Sequence, residues 1–178
     1  MDISFLTINK ENKDFELLIK FANEIWIREE VFGNKYEEYE CPGNILVIGF
    51  TRSTTGKSSA VCATVIERNI SGNKAVISCM GAYPQNCGYG SSLMQYIIKF
   101  LKNLCITEIC LKIDKNDKAK RLEKFYINYG FTTVEEDKNK VLEYDEILFY
   151  YDSKVQYIMS YKLDLDIDID ITNLKIDI

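Results

Sequence analysis

The chain has 178 residues, of which 47% are hydrophobic and 28% charged, enough to bury the core of one domain and too apolar for a disordered chain. It contains no histidine, which excludes Ser-His-Asp and Cys-His relays, His-ligated zinc and an imidazole pH switch. Its net charge of −5 argues against nucleic acid as a main partner, because phosphate binding needs a basic face.

Residues Ile3 to Ile8 alternate in polarity and read as a first strand. Asp14 to Ile27 carries Leu18, Phe21, Ala22, Ile25 and Trp26 at helical spacing, with that stripe expected to face the core. Arg28 to Glu40 is acidic and reads as a short second helix plus loop. Asn44 to Thr51 and Ser58 to Arg68 are β-branched runs flanking a Ser-Thr-Thr-Gly turn, hence a hairpin. A second turn at Asn69 to Asn73 leads into a strand over Lys74 to Tyr83. Tyr89 to Lys102 is helical, with Leu93, Met94, Ile97, Ile98 and Leu101 on one face. Glu108 to Asp114 reads as a strand, Lys118 to Tyr129 as a helix and Phe131 to Glu135 as a short strand. Glu143 to Lys154 gives no clear signal, and Tyr157 to Leu165 reads as the last strand. The order predicts an α/β (α+β) domain over residues 1–165, a mixed sheet of about seven strands with helices on its faces.

Beyond it, Leu163 to Ile171 alternates strictly between Asp and an apolar residue. An extended strand is the favoured reading of the 166–178 tail; a disordered end stays open, as does a homodimer contact there or at an edge strand. Its aspartates would stand about 6.6–6.8 Å apart along one face, too far for a compact calcium site, and no metal is expected. The six cysteines form no C-x-x-C pair, and Cys62, Cys79, Cys105 and Cys110 lie in apolar runs where buried free thiols are expected. The start of the chain lacks a basic n-region, and no apolar run approaches the roughly 18 residues of a membrane helix. A reducing compartment, cytoplasmic or nuclear, is the expectation, with no membrane partner.

Two segments carry chemistry. Gly56-Lys57-Ser58 looks like the end of a phosphate-binding P-loop, but position 51 is Thr51 and a strand follows, so it reads as a hairpin turn. Gln85-Asn86-Cys87-Gly88-Tyr89-Gly90-Ser91 differs: it joins a strand to a helix N-terminus, where free N–H groups and the helix dipole favour an anion and glycine admits close approach. Glu123 to Phe131 closes a later helix on Gly130, a suitable C-terminal stop.

Together these segments resemble the GCN5-related N-acetyltransferase superfamily. Gln85-x-x-Gly88-x-Gly90 fits its Q/R-x-x-G-x-G/A signature, Phe125-Tyr126-x-x-x-Gly130-Phe131 fits its F-Y-x-x-x-G-F ending, and Arg28-Glu29-Glu30-Val31-Phe32 resembles its R-x-x-V-F. The resemblance implies acetyl transfer from acetyl-CoA, as co-substrate, to a primary amine. It implies that the strand ending at Met80, Gly81 and Ala82 splays from the next strand and offers its exposed backbone groups to pantetheine, and that Gln85, Asn86, Cys87, Gly88, Tyr89, Gly90 and Ser91 hold the pyrophosphate. Tyr126 matches the tyrosine that protonates the departing thiolate. The asparagine of the family, seven residues before that tyrosine, falls on Ala119, with Asn116 three residues earlier. Lys118, Lys120 and Arg121 could face the 3′-phosphate, although a solvated helix face is the stronger reading of each.

The chain also departs from the pattern. Cys87 stands where many members carry Arg, Lys or Gly, and the strand position of the glutamate base in the histone branch aligns with Lys74. Yet a base is needed, since a lysine-like amine is neutral only about once in 2,500 molecules at pH 7, a cost of roughly 4–5 kcal/mol. Glu67, Glu29, Glu30 and Glu40 are candidates, acting through water that Ser78 could hold. Arg28, Glu29 and Phe32 fall where the family places its acceptor loop, and acidic residues 29–40 suit a cationic acceptor: a polyamine, an aminoglycoside or a lysine or peptide amine. The rival reading is a non-catalytic module that binds acyl-CoA or a partner protein.

Overall fold

A computed structural model describes residues 3–9, 11–28, 45–68, 72–116, 118–134, 142–144, 147–149 and 156–163. Their elements run β1 Ile3–Asn9, α1 Phe15–Arg28, β2 Ile45–Arg52, β3 Ser58–Arg68, β4 Lys74–Ala82, α2 Tyr89–Asn103, β5 Glu108–Asp114, α3 Ala119–Ile127, β6 Thr132–Thr133, β7 Leu142–Tyr144, β8 Ile147–Phe149 and β9 Gln156–Lys162. Seven strands form one mixed sheet in the order β1-β2-β3-β4-β5-β9-β6, and β7 and β8 pair separately as a hairpin. Within the large sheet β4 and β5 run parallel and the other pairs are antiparallel.

The helices divide between the two faces of the sheet. On one side α1 buries Phe15, Ala22, Ile25 and Trp26 against Leu46, Ile48, Ala63, Val65 and Cys79. Trp26 is fully buried, and its Nε1 donates to the Ala63 carbonyl at 3.2 Å, so the one polar atom of the ring is satisfied in the core. On the other side Leu93, Met94, Ile97 and Leu101 of α2 pack with Tyr126 of α3 over Ile66, Ala75, Ile77, Leu111 and Ile113. Thr64 is the buried polar residue among the described ones; its hydroxyl donates to the Cys79 carbonyl at 2.6 Å.

The mixed sheet with flanking helices agrees with the sequence pattern, and several details differ. Phe21 falls one position off the buried stripe of α1 and is 41% exposed, while Phe15 takes the core position. Cys105 is exposed, not buried: α2 ends at Asn103, the chain turns through Cys105 at φ +58°, and Ile106 goes inward instead. The region without a clear signal holds the β7–β8 hairpin. The expected second helix after Arg28, with Glu29, Glu30, Phe32 and Glu40, lies outside the described residues, as does the chain from 164 onward. Gly56 takes φ +82° in the β2–β3 turn, with its N–H donating to the Ser53 carbonyl at 2.9 Å, so this segment is a hairpin turn.

Gly130 explains the spacing of the aromatic signature. It adopts φ +90°, and this left-handed turn lets the Phe131 N–H donate to the Tyr126 carbonyl at 3.2 Å. Phe131 is thereby returned to the core, its ring 5.6 Å from that of Tyr126 and 5.4 Å from that of Tyr161. A Cβ at position 130 would stand 2.9 Å from Cε2 of Tyr161. Gly130→Ala therefore combines a left-handed alanine with a clash, and a loss of about 1–3 kcal/mol is expected in urea unfolding.

Candidate active site

The site begins where a sheet ladder stops. Strands β4 and β5 pair from Lys74↔Glu108 to Ile77↔Leu111, and no pairing follows, although β4 continues to Ala82 and β5 to Asp114. The parting coincides with a β-bulge. Against β3, Val65 pairs with Cys79 and Ile66 with Ile77, leaving Ser78 as the extra residue. A bulge bends its strand and increases local twist, here turning β4 away from β5. The backbone edges of 78–82 and 112–114 that face each other are left without a strand partner.

A cleft of about 450 Å³ fills the gap. One wall is β4 from Ile77 to Ala82, the other β5 from Leu111 to Asp114; residues 84–91 close one end, and Leu122, Phe125 and Tyr126 of α3 line it from the side. Met80, Gly81, Ala82, Gln85, Asn86, Cys87, Gly88, Tyr89, Gly90, Ser91 and Asn116 all line this one cleft, as do Ser78 and Tyr126. Lys74 stands instead at the closed end of the β4–β5 ladder, its Nζ 3.5 Å from Glu108.

The 85–91 loop is shaped by two left-handed residues, Asn86 at φ +60° and Gly88 at φ +77°. Gly88 is the N-cap of α2 and makes no side-chain cap, so the first turn of the helix presents its N–H groups without a competing side-chain acceptor from the cap. A Cβ on Gly88 would meet nothing within 4 Å, and one on Gly90 would touch Ala82 at 3.7 Å. The loop thus brings bare backbone to the cleft, a fit for an anionic phosphate group. Two bonds tie it to α3 and the turn after it: Arg121 Nη1 donates to Gln85 Oε1 at 3.1 Å, and the Tyr129 hydroxyl donates to the Ser91 carbonyl at 3.3 Å.

Charge at the rim differs from the sequence expectation. Lys118 and Arg121 line the cleft, Lys118 half-buried and Arg121 still exposed, while Lys120 is exposed and outside the lining. The Asn116 Oδ1 accepts from the Lys118 N–H at 2.9 Å, so this side chain caps the approach to α3. Lys112 and Asp114 also line the cleft, and neither is marked by a sequence motif. Their places follow from where the β4–β5 ladder ends, which only long-range pairing decides.

Tyr126 is 8% exposed, and burial, with a smaller contribution from Cys79, pushes its phenol above the ordinary tyrosine range. Cys79 is likewise raised by burial; a backbone hydrogen bond to Val65 opposes this and Glu67 adds to it. Both are therefore neutral at pH 7, a proton donor and a poor nucleophile respectively. Glu67 does not line the cleft but accepts a short hydrogen bond from the Ser78 hydroxyl, bringing a carboxylate to the bulge. Arg28 lies 5.1 Å over the ring of Tyr83, next to the loop after β4. Glu29 and Phe32, expected beside it, lie outside the described residues.

No family model matches the chain, and no curated protein matches it by sequence. Solved structures do. The chain is similar to Tetrahymena GCN5, with a TM-score of 0.64 at 13% identity over 94% of this chain and 99% of that one. This chain has the fold of the GCN5-related N-acetyltransferases. The ribosomal-protein-S18-alanine N-acetyltransferase from Escherichia coli gives a TM-score of 0.59 at 13% identity, covering 93% of this chain and 98% of that one. PaiA N-acetyltransferase from Thermoplasma acidophilum, solved in complex with coenzyme A, gives 0.58 at 18% identity, covering 91% and 99%. In this N-acetyltransferase fold no helix among the described residues is long and apolar enough to cross a membrane.

Thr64 secures the bulge from behind, its hydroxyl bonded to the carbonyl of the residue that follows Ser78. Thr64→Val keeps the shape, removes the donor and sets a methyl group against that oxygen. A loss of about 1–3 kcal/mol is expected in thermal or urea unfolding, with Thr64→Ser closer to the parent.

Proposed function

We propose that this chain is an N-acetyltransferase that moves an acetyl group from acetyl-CoA to a primary amine by direct attack. The observation that carries the reading is the parting of β4 and β5, which sets a buried tyrosine, a glycine-rich helix N-terminus and three cationic side chains, Lys112, Lys118 and Arg121, around one cleft. In this reading the unpaired edge of 80–82 takes pantetheine as an added strand, the 86–91 backbone takes the pyrophosphate, and Lys118 and Arg121 face the remaining phosphate. The acceptor amine loses a proton towards Glu67, through Ser78 or a water beside it. Its nitrogen then attacks the thioester carbonyl carbon, the C–N bond forms, the C–S bond breaks, and the leaving thiolate takes the Tyr126 hydroxyl proton. The raised thiol of Cys79 supports direct transfer over an acetyl-cysteine route. The carboxylates of Glu67 and Asp114, with the acidic residues of 29–40, favour a cationic acceptor such as a polyamine, an aminoglycoside or a lysine or peptide amine.

Thiol release from acetyl-CoA, measured with a panel of these amines, tests the reading. Amine-dependent release is expected; binding of CoA with no release across a broad panel would leave a non-catalytic acyl-CoA module. Tyr126→Phe is expected to lower kcat by about 10²-fold with little change in acetyl-CoA affinity. Because the phenol is raised above its ordinary value of about 10, kcat/KM should climb with pH as the amine deprotonates, with no falling limb from Tyr126 below about pH 10.

A further inference from the structure

Lys112 occupies a position that the proposed reaction does not use. It is the first residue of β5 beyond the last β4–β5 pair, as Ser78 is the first of β4. Its neighbours Leu111 and Ile113 face the core beneath α2 and α3, so strand alternation puts Lys112 on the opposite face, the one that α1 covers elsewhere. It lines the cleft, and its ammonium interacts with Glu67, which in turn accepts the Ser78 hydroxyl bond, and with Asp114. An amine, a carboxylate and a hydroxyl thus gather at the apex of the opening, across the sheet from α3. Lys112 is an exposed residue at the cleft, and the neighbouring strands still desolvate its amine enough to hold it below the ordinary lysine range, against the upward pull of Glu67 and Asp114. Such an amine is neutral, and so nucleophilic, more often than a surface lysine.

We propose that Lys112 is a self-acylation site: with acetyl-CoA in the cleft and no acceptor present, its Nζ takes the acetyl group. This rests on the reading of the cleft as an acyl-CoA site. The neutral amine attacks the thioester carbonyl carbon, the C–N bond forms and the C–S bond breaks. The amine proton passes to Glu67 and on to water, CoA leaves as the thiol after taking the Tyr126 proton, and the phenolate regains a proton from water. The product is an amide, stable to water, so the mark persists and removes the positive charge that faces Glu67 and Asp114.

The test uses the full chain with isotopically labelled acetyl-CoA and no amine, followed over time by peptide mass spectrometry, with acetyl-CoA binding measured separately by calorimetry. One acetyl group on Lys112, arriving at least about 10-fold faster than on Lys57, Lys99, Lys102 or Lys124, which stand outside the cleft, is expected. A CoA analogue lacking the sulfur should suppress labelling at Lys112 alone, and Glu67→Gln should slow it there without changing the surface lysines. Binding of acetyl-CoA with label spread evenly over lysines, or absent from Lys112, overturns the inference and leaves the acyl-CoA reading standing. No binding at all removes both.

Discussion

Everything at the candidate site depends on one broken ladder. A parallel pair normally continues until a strand ends, because each unpaired backbone group in a sheet interior must find another partner. Here pairing between β4 and β5 stops at Ile77↔Leu111 while both strands continue. What holds the arms apart is local and identifiable: the extra residue Ser78, the Thr64 hydroxyl fixing the Cys79 carbonyl, and the aromatic and apolar side chains of α3 along one side. The far arm stays in register because β5 remains paired with β9 along its whole length, from Glu108↔Lys162 to Asp114↔Gln156. The opening is therefore framed on both sides by strands that stay paired along their outer edges.

The two faces of the sheet then acquire different chemistry. On the side of α2 and α3 the apex is apolar, with Ile77, Leu111 and Ile113 around Tyr126, and desolvation keeps the phenol protonated. On the opposite side the same strand positions carry Glu67, Ser78, Lys112 and Asp114. A proton donor and proton acceptors are thus separated by the thickness of one sheet. For the proposed reaction a chain without histidine needs such a division, since no single side chain with a near-neutral ordinary pKa is at hand to serve both roles.

Much of this was legible in the residues. Gly88 and Gly90 before a helical stripe, and Tyr126 five residues before Phe131 with Gly130 between, are local signals, because backbone freedom and aromatic spacing act over a few positions. The parting of the strand that ends at Met80–Ala82 from its neighbour was expected only through the resemblance, and the bulge at Ser78 and the exact end of the ladder at Ile77 were not legible, since register is set by pairing between distant segments. Hence Lys112, Lys118 and Arg121 read as ordinary charges although they line the cleft. Cys105 misled for a related reason: its apolar neighbours suggest burial, but the helix ends two residues earlier and the turn points it outward.

The bonds from α3 to the glycine loop have a further consequence. Arg121 holds Gln85 from the first turn of the helix, Tyr129 holds Ser91 from just past its end, and Tyr126 lies between these two anchors. Loop and proton donor are therefore mechanically linked. In the proposed reading the remote part of a long substrate and the acid at its reactive end are thus held by one helix region, and a short thioester lacking the nucleotide would forgo the contacts made at the loop.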